Sequence, residues 1–278
     1  VPQLISMNAT INRVGNELLD QINHLYPEKI GREDPQDDDS ESLPSDFEEK
    51  AITVCANSKG YIKYINSIYL LELSGKKNLI IHILPMAGEF ILPGQPIARV
   101  YAHDSHDDEL IEKIADAFIL DYERSLTQDM LFPAELLVEV AIRALSPGVN
   151  DPFTAKECVN QLTAGSLELM QRKIPNPHRY DQNKKLRMIT YAVDFDLFVR
   201  RTFEPLRNHV KKDPMVAEHL LACYEDLQQQ TSNANYRRIL HHQSKALLDA
   251  AKMTLQDPKD IENFQKNAPR KMGNDCVN

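Results

Sequence analysis

Hydrophobic positions near the start of the chain recur at helical spacing. The apolar residues in this segment are Leu4, Met7, Ile11, Val14, Leu18, Ile22 and Leu25. Steps of three or four residues place them on one narrow stripe of an amphipathic helix. Such a stripe can mediate association between chains, with Leu4, Met7, Ile11, Val14, Leu18 and Ile22 as the interface, or it can pack within its own domain. The pattern leaves both alternatives open.

Short apolar runs replace the helical period between residues 51 and 103. They predict strands at 52–55, 61–65 and 79–84, followed by two short strands between Gly88 and Val100. Residues 67–73 predict one or two helical turns that end at Ser74 and Gly75. We expect a small β module that resembles half of a barrel-sandwich.

The rest of the chain is mainly helical in pattern. Three helices are predicted to begin at Asp-Pro pairs, because an N-cap aspartate accepts backbone N–H bonds and proline at the first helical position loses no useful donor. These pairs are Asp151-Pro152, Asp213-Pro214 and Asp257-Pro258. Further predicted helices are 109–120, 134–145, 197–210 with a kink or break at Pro205, 217–230 and 236–255. Residues 186–193 predict a strand.

Together these elements indicate an α+β protein that is predominantly α-helical, with a small β module. The expected segments are an amphipathic helix at 1–27, an acidic linker at 28–50, the β module at 51–103, a helical domain with one or two strands at 104–265, and a flexible tail at 266–278.

Charge and composition narrow the classes of function. The net charge of −9 arises from acidic residues between Arg32 and Lys50, and the remainder is close to neutral. We therefore expect no nucleic-acid partner. No apolar run reaches the roughly 18–20 residues of a transmembrane helix. The four isolated cysteines indicate reduced thiols in a cytoplasmic compartment. Without an initiating Met or a signal peptide, the sequence is expected to begin within a longer protein.

The densest local signal is the run Arg143-Ala-Leu-Ser-Pro-Gly-Val-Asn-Asp-Pro-Phe-Thr-Ala155. It predicts the end of one helix, a turn in which Gly148 can adopt a positive φ, and the start of the next helix. Arg143 or Arg124 is a candidate partner for Asp151. The candidate ligand-binding or structural residues are Arg124, Gln128, Asp129, Arg143, Ser146, Pro147, Gly148, Asn150, Asp151, Pro152 and Thr154.

Catalytic and metal-binding patterns are weak. There is no nucleophile elbow and no glycine-rich phosphate loop, so we expect no catalytic residue and no cofactor. The run His103-Asp-Ser-His-Asp-Asp108 combines imidazoles and carboxylates that can bind a divalent metal. Acidic residues before a helix also favour its dipole. That simpler explanation is preferred, and no metal site is expected.

The run from Ala144 to Ala155 closely resembles the signature of the predicted bacterial membrane proteins grouped as domain of unknown function 2254. Further matches occur in the same order, at Ile11-Asn-Arg-Val14, Gly60-Tyr61, residues 88–100, Glu123-Arg124 and Gln128-Asp129. The resemblance implies four N-terminal transmembrane helices followed by a soluble region, with this chain as that region. The opening helix would then continue from the last span, on the cytoplasmic side of the bacterial inner membrane. No activity is implied.

Two functional hypotheses follow. The first is a homo-oligomeric assembly or gating domain of a channel-like or transporter-like membrane protein. It predicts that Ile11→Asp or Leu18→Asp disrupts self-association. The second is a small-ligand-binding or enzymatic domain that uses the turn at 146–154. It predicts a polar pocket in which Arg124, Arg143 and Asp129 converge.

Overall fold

The structure, a computed structural model, describes residues 2–27, 43–102, 108–255, 257–259 and 262. The chain divides into two compact units. The helical unit comprises residues 1–27, 133–172 and 194–278, and the β-rich unit comprises residues 28–132 and 173–193. The predicted fold class, α+β with a helical majority, is confirmed.

The helices and strands follow one another in mixed order. The helices are α1 (Pro2–Leu25), α2 (Phe47–Lys50), α3 (Ser67–Lys77), α4 (Asp108–Ala115), α5 (Leu131–Ala144), α6 (Pro152–Met170), α7 (Phe195–Val210), α8 (Pro214–Gln229) and α9 (Ala234–Thr254). The strands are β1 (Ile52–Cys55), β2 (Gly60–Ile65), β3 (Leu79–Ile83), β4 (Phe90–Ile91), β5 (Pro96–Ala102), β6 (Phe118–Asp121), β7 (His178–Tyr180) and β8 (Leu186–Ile189).

Aspartate caps begin three long helices of the helical unit. The side chains of Asp151, Asp194 and Asp213 accept hydrogen bonds from the backbone N–H groups of Thr154, Leu197 and Val216, respectively. The two complete Asp-Pro predictions are therefore confirmed. At the third pair, the Asp257 side chain accepts a bond from the Lys259 N–H, and most of the following segment lies outside the described residues.

Two sheets form the framework of the β-rich unit. One has five strands in the order β1-β5-β3-β8-β7, and the other has three in the order β4-β2-β6. Neighbouring strands are antiparallel except for β3 and β8, which are parallel with Ile81 opposite Met188. Both sheets, together with α3 and α4, contribute to one buried apolar cluster that includes Ile62, Leu70 and Ile114. The β module thus takes in strands from beyond residue 103.

The predicted helix at 109–120 is wrong over its second half. Helix α4 ends at Ala115, and residues Phe118–Asp121 form β6. Strand β6 pairs with β2, placing Phe118 opposite Ile65 in the buried interior. The free edge of β2 offers hydrogen-bond partners, and this tertiary pairing overrides the local helical pattern.

Three other element predictions need correction. Helix α3 continues through Gly75 to Lys77 and ends at Asn78, whose φ of 53° is in the left-handed region. The predicted strand at 186–193 ends at Ile189, where pairing with β3 ends. Helix α7 continues through Pro205 to Val210, so the alternative of a break at Pro205 is wrong; buried residues lie on both sides of Pro205.

Candidate functional site

A buried ion pair organises the candidate segment before α5, residues 124–129. Asp129 is 4% exposed, and its Oδ2 accepts bonds from Arg124 Nε at 2.9 Å and Nη2 at 2.6 Å. Its Oδ1 accepts bonds from the N–H groups of Leu131 and Phe132, both at 3.1 Å. Asp129 therefore caps the first turn of α5 while neutralising Arg124, whose guanidinium stacks over the Phe132 ring at 5.0 Å.

Gly88 and Gln128 extend this arrangement to β2. Gly88 has a φ of +87°, and a Cβ at this position would lie 1.9 Å from Asp129 Oδ2, so the close approach requires glycine. The Gln128 side chain pairs with both backbone groups of Ile65, accepting at 2.9 Å and donating at 3.2 Å. We define Gly88, Arg124, Gln128 and Asp129 as the Asp129 cluster. Its polar groups bind one another and the backbone, which is the arrangement of a structural clamp.

The second candidate segment, residues 146–154, is a closed turn of the helical unit. Ser146 Oγ donates to the Arg143 carbonyl at 2.7 Å, and the Asp151 N–H donates to the Ala144 carbonyl at 2.8 Å. Asp151 Oδ1 accepts from the Thr154 N–H at 3.1 Å, and its Oδ2 accepts from the Thr154 hydroxyl at 2.7 Å. These bonds lower the pKa of Asp151 below the ordinary aspartate value.

Two expectations for this turn are wrong. The left-handed residue is Asn150, with a φ of 48°, and not Gly148; asparagine tolerates this region better than most residues. The arginines also pair elsewhere. Arg143 binds Glu139, one helical turn away, and Arg124 binds Asp129. Each arginine takes a carboxylate that is close in sequence, which requires little ordering of either side chain. Asp151 bonds with Thr154 instead.

Asp151→Ala is expected to destabilise the helical unit by about 1 kcal/mol, the usual cost of losing an N-cap. Because the folded-state pKa of Asp151 is lowered, its contribution is fully present above the unfolded pKa of about 3.9 and is lost as pH falls through the folded value. Urea unfolding of both proteins at neutral and acidic pH measures this, and Asp196→Ala, which removes an exposed carboxylate within α7, is the control. A difference that stayed constant down to the lowest accessible pH would contradict the assignment.

The apolar stripe of α1 is mostly buried within the chain. Ile11, Val14, Leu18 and Ile22 are all inaccessible or nearly so. Helix α1 packs against α6, where Gly165 leaves room for Leu18: a Cβ on Gly165 would lie 2.5 Å from Leu18 Cδ2. Met7 is 44% exposed, and the side chain of Leu4 lies outside the described residues. Ile11, Val14, Leu18 and Ile22 therefore pack within their own domain, which is the second of the two alternatives for this stripe.

One group of reactive side chains was missed by the sequence reasoning. His219 Nε2 lies 2.6 Å from Asn160 Oδ1 and 3.8 Å from Cys223 Sγ. The four-residue spacing of His219 and Cys223 on a predicted helix was the available signal. Burial raises the pKa of the Cys223 thiol and lowers that of His219. A thiol with a raised pKa is a poor nucleophile, so this group lacks the chemistry of a cysteine catalyst.

The described residues contain no group of three or more His, Cys, Asp or Glu side chains that could hold a metal ion. Residues 103–107, which hold most of the candidate His-Asp run, lie outside the description. Within the described ranges, no helix is both long enough and apolar enough to cross a bilayer.

Comparison with known proteins places both candidate segments in one family. The model of the family described as "Predicted membrane protein (DUF2254)" matches residues 1–226. An uncharacterised protein of Mycobacterium tuberculosis strain H37Rv and one of Mycobacterium bovis are each 24% identical over 260 residues, which is 92% of this chain. The alignment covers 49% of each relative, so the chain spans about half their length. No solved structure matches the chain.

Proposed function

The chain belongs to the DUF2254 family of predicted membrane proteins, and we propose that it is the cytoplasmic assembly or gating domain of a channel-like or transporter-like protein in the bacterial inner membrane. The observation that carries the proposal is the family match, which spans parts of both units. In the proposed arrangement, α1 continues from a membrane span and connects that span to the helical unit.

The packing of α1 suits a rigid connection. Its four buried apolar residues lie along α6, so a displacement of α1 along its axis has to move α6 with it. Gln161 of α6 donates to Asn12 at 3.0 Å, and Gly15 approaches so closely that a Cβ there would lie 2.1 Å from Gln161 Oε1. Protein interiors are close-packed and transmit such displacements instead of absorbing them.

Arg172 holds the far end of the same helix. It is 8% exposed, donates to the Pro27 carbonyl at 3.0 Å, and binds the side chains of Asn23 and Glu168. Because α6 ends at Met170, this arginine joins the last turns of α1 and α6. A connector that is bound at its middle and at its end transmits motion between a membrane span and the unit, which is what a gating domain requires.

Assembly is tested by the solution mass of the 278-residue chain. We expect a discrete oligomer whose mass is independent of concentration, measured by size-exclusion chromatography with light scattering over a wide concentration range. A strictly monomeric chain at every concentration would contradict an assembly role for this region. Since Ile11, Val14, Leu18 and Ile22 are buried within the chain, the contact between copies is expected to use other surfaces.

The proposed transmission of motion through α1 is tested by hydrogen exchange at the end of that helix. Arg172→Ala is expected to loosen the end of α1 and to increase hydrogen exchange of the backbone amides in residues 20–26, because Asn23, Pro27 and Glu168 lose the guanidinium that joins them. Arg200→Ala, which removes an exposed arginine paired within α7, is the matched control. Equal exchange in the two variants would show that Arg172 does not hold the end of α1.

A further inference from the structure

Among the described residues of the helical unit, five large apolar side chains are exposed. They are Met7, Val149, Phe153, Met215 and Met253. Phe153 is 71% exposed and Met253 is 89% exposed. Exposed apolar residues are common when scattered singly, but residues gathered at one place indicate a binding surface. The helix directions show that these five are gathered at one end of the unit.

Helices α1 and α6 are parallel and in constant register. Gln161 contacts Asn12, and Arg172 contacts Asn23, and both pairs are separated by 149 residues. The same offset places Met7 at the level of Lys156. Phe153 is then less than one helical turn of about 5.4 Å away along the axis, and Val149 lies in the turn that precedes α6.

Helix α8 is also parallel to α6. His219 contacts Asn160 at a separation of 59 residues, and one turn later the Cys223 thiol is hydrogen-bonded by Thr163. The offset places Met215 at the level of Lys156 as well. Met7, Phe153 and Met215 therefore lie at the same end of three adjacent helices.

Helix α9 brings Met253 to this end. Phe195 and Tyr236 have ring centroids 4.7 Å apart, and Arg207 donates to Gln243 at 3.0 Å, so α9 runs in the same direction as α7. Helix α7 ends at Val210, immediately before the start of α8. Met253, near the end of α9, consequently lies beside the α7–α8 turn. We define Met7, Val149, Phe153, Met215 and Met253 as the apolar end.

Lysines accompany the apolar end. Lys156 lies at its level, Lys211 and Lys212 form the α7–α8 turn, and Lys252 precedes Met253. In the part of the chain that the structure describes, these four lysines form no ion pair. The nearby carboxylates of Asp151 and Asp213 are engaged as helix caps, and that of Glu157 accepts bonds from side-chain amides. The apolar end is thus surrounded by four lysines, which form no ion pair, and by three carboxylates that keep their charge while they accept hydrogen bonds.

We propose that the apolar end binds the surface of a lipid bilayer that contains anionic headgroups. Exposed Phe, Val and Met side chains enter the boundary between headgroups and acyl chains, and lysine ammonium groups bind the anionic headgroups. The inference rests on the proposed function in one respect: a span that continues into α1 enters the unit at this same end. It assigns Val149 and Phe153 of the family motif a role as a lipid contact.

The test is flotation of the 278-residue chain with lipid vesicles. The parent chain is expected to bind phosphatidylcholine vesicles that contain phosphatidylglycerol, and to bind pure phosphatidylcholine vesicles less. The double variant Phe153→Ser with Met253→Ser is expected to bind about tenfold more weakly or worse, since two large apolar side chains leave the bilayer boundary. Tyr122→Ser, which removes an aromatic ring that is 83% exposed in the β-rich unit, is the matched control and is expected to bind like the parent.

Each other outcome overturns the inference. A parent chain that floats with neither vesicle has no lipid-binding end, and a double variant that binds like the parent shows that binding occurs elsewhere. If the double variant loses oligomeric mass without any vesicle binding by the parent, the end is a contact between copies. Light scattering on the same samples distinguishes failure of this inference from failure of the proposed function. A monomeric chain that binds vesicles would refute the assembly role and leave the lipid-binding inference intact. Circular dichroism confirms that both variants, altered at exposed positions, remain folded.

Discussion

Asp129→Ala is expected to destabilise the β-rich unit by about 3–5 kcal/mol, the usual cost of removing one partner of a buried ion pair. The variant leaves the guanidinium of Arg124, only 19% exposed, without its carboxylate. It also removes the acceptor for the N–H groups of Leu131 and Phe132 at the start of α5. Urea unfolding monitored by circular dichroism and tyrosine fluorescence measures the loss, and two probes are needed because the units can unfold separately.

An exposed ion pair of the same chemical type provides the control. Glu139→Ala removes the carboxylate that binds Arg143, where both side chains are more than half exposed, and is expected to cost less than about 1 kcal/mol. The double variant Arg124→Met with Asp129→Ala should recover part of the stability, because no charge is then left buried and unpaired. If Asp129→Ala cost no more than Glu139→Ala, the Asp129 cluster would not be the clamp inferred from its bonds.

Leu18→Asp is expected to unfold the helical unit at ordinary temperature. Truncating a buried leucine to alanine already costs about 2–5 kcal/mol, and aspartate adds a charge that has no partner at a position with 0% exposure. Domains are stable by only about 5–15 kcal/mol. Circular dichroism should therefore show a large loss of helix in Leu18→Asp. Any change in solution mass, measured by light scattering, should accompany that loss of helix.

Met7→Asp is the control for this prediction. Met7 belongs to the same stripe of α1, but it is 44% exposed, so its substitution should leave the melting temperature close to that of the parent. The interface hypothesis predicted that Leu18→Asp breaks self-association. A Leu18→Asp protein that melted like the parent and had a lower mass would restore that hypothesis and refute packing within the chain.

Features that depend on neighbouring residues were predictable from the sequence. The Asp151-Pro152 and Asp213-Pro214 helix starts were correct because an N-cap bond joins residues three positions apart. The strand β3 was also correct, because its run of buried aliphatic residues carries the signal locally. The turn at 146–154 was correctly placed between two helices, although Asn150 and not Gly148 adopts the left-handed conformation.

Features that depend on distant partners were not predictable in this way. Residues 118–121 continue a helical pattern along the chain, but the edge of β2 makes them a strand. In the sequence, Gly88 is an ordinary turn residue. Only the close approach of Asp129 in the structure shows why a side chain does not fit at this position. One local pairing was also missed: Arg143 binds Glu139, one turn away, and not the predicted partner Asp151.

The sequence by itself determined where α6 and α8 start, which class the fold belongs to, and which residues of α1 share a face. Periodicity determines that face because side-chain direction follows from backbone geometry alone. The tertiary structure alone decided what the face contacts: α6 of the same chain covers Ile11 and Leu18 and leaves Met7 exposed. It also decided that Met7, Phe153 and Met215 lie at the same end of the helical unit, since the alignment of separate helices depends on packing between residues far apart in the chain.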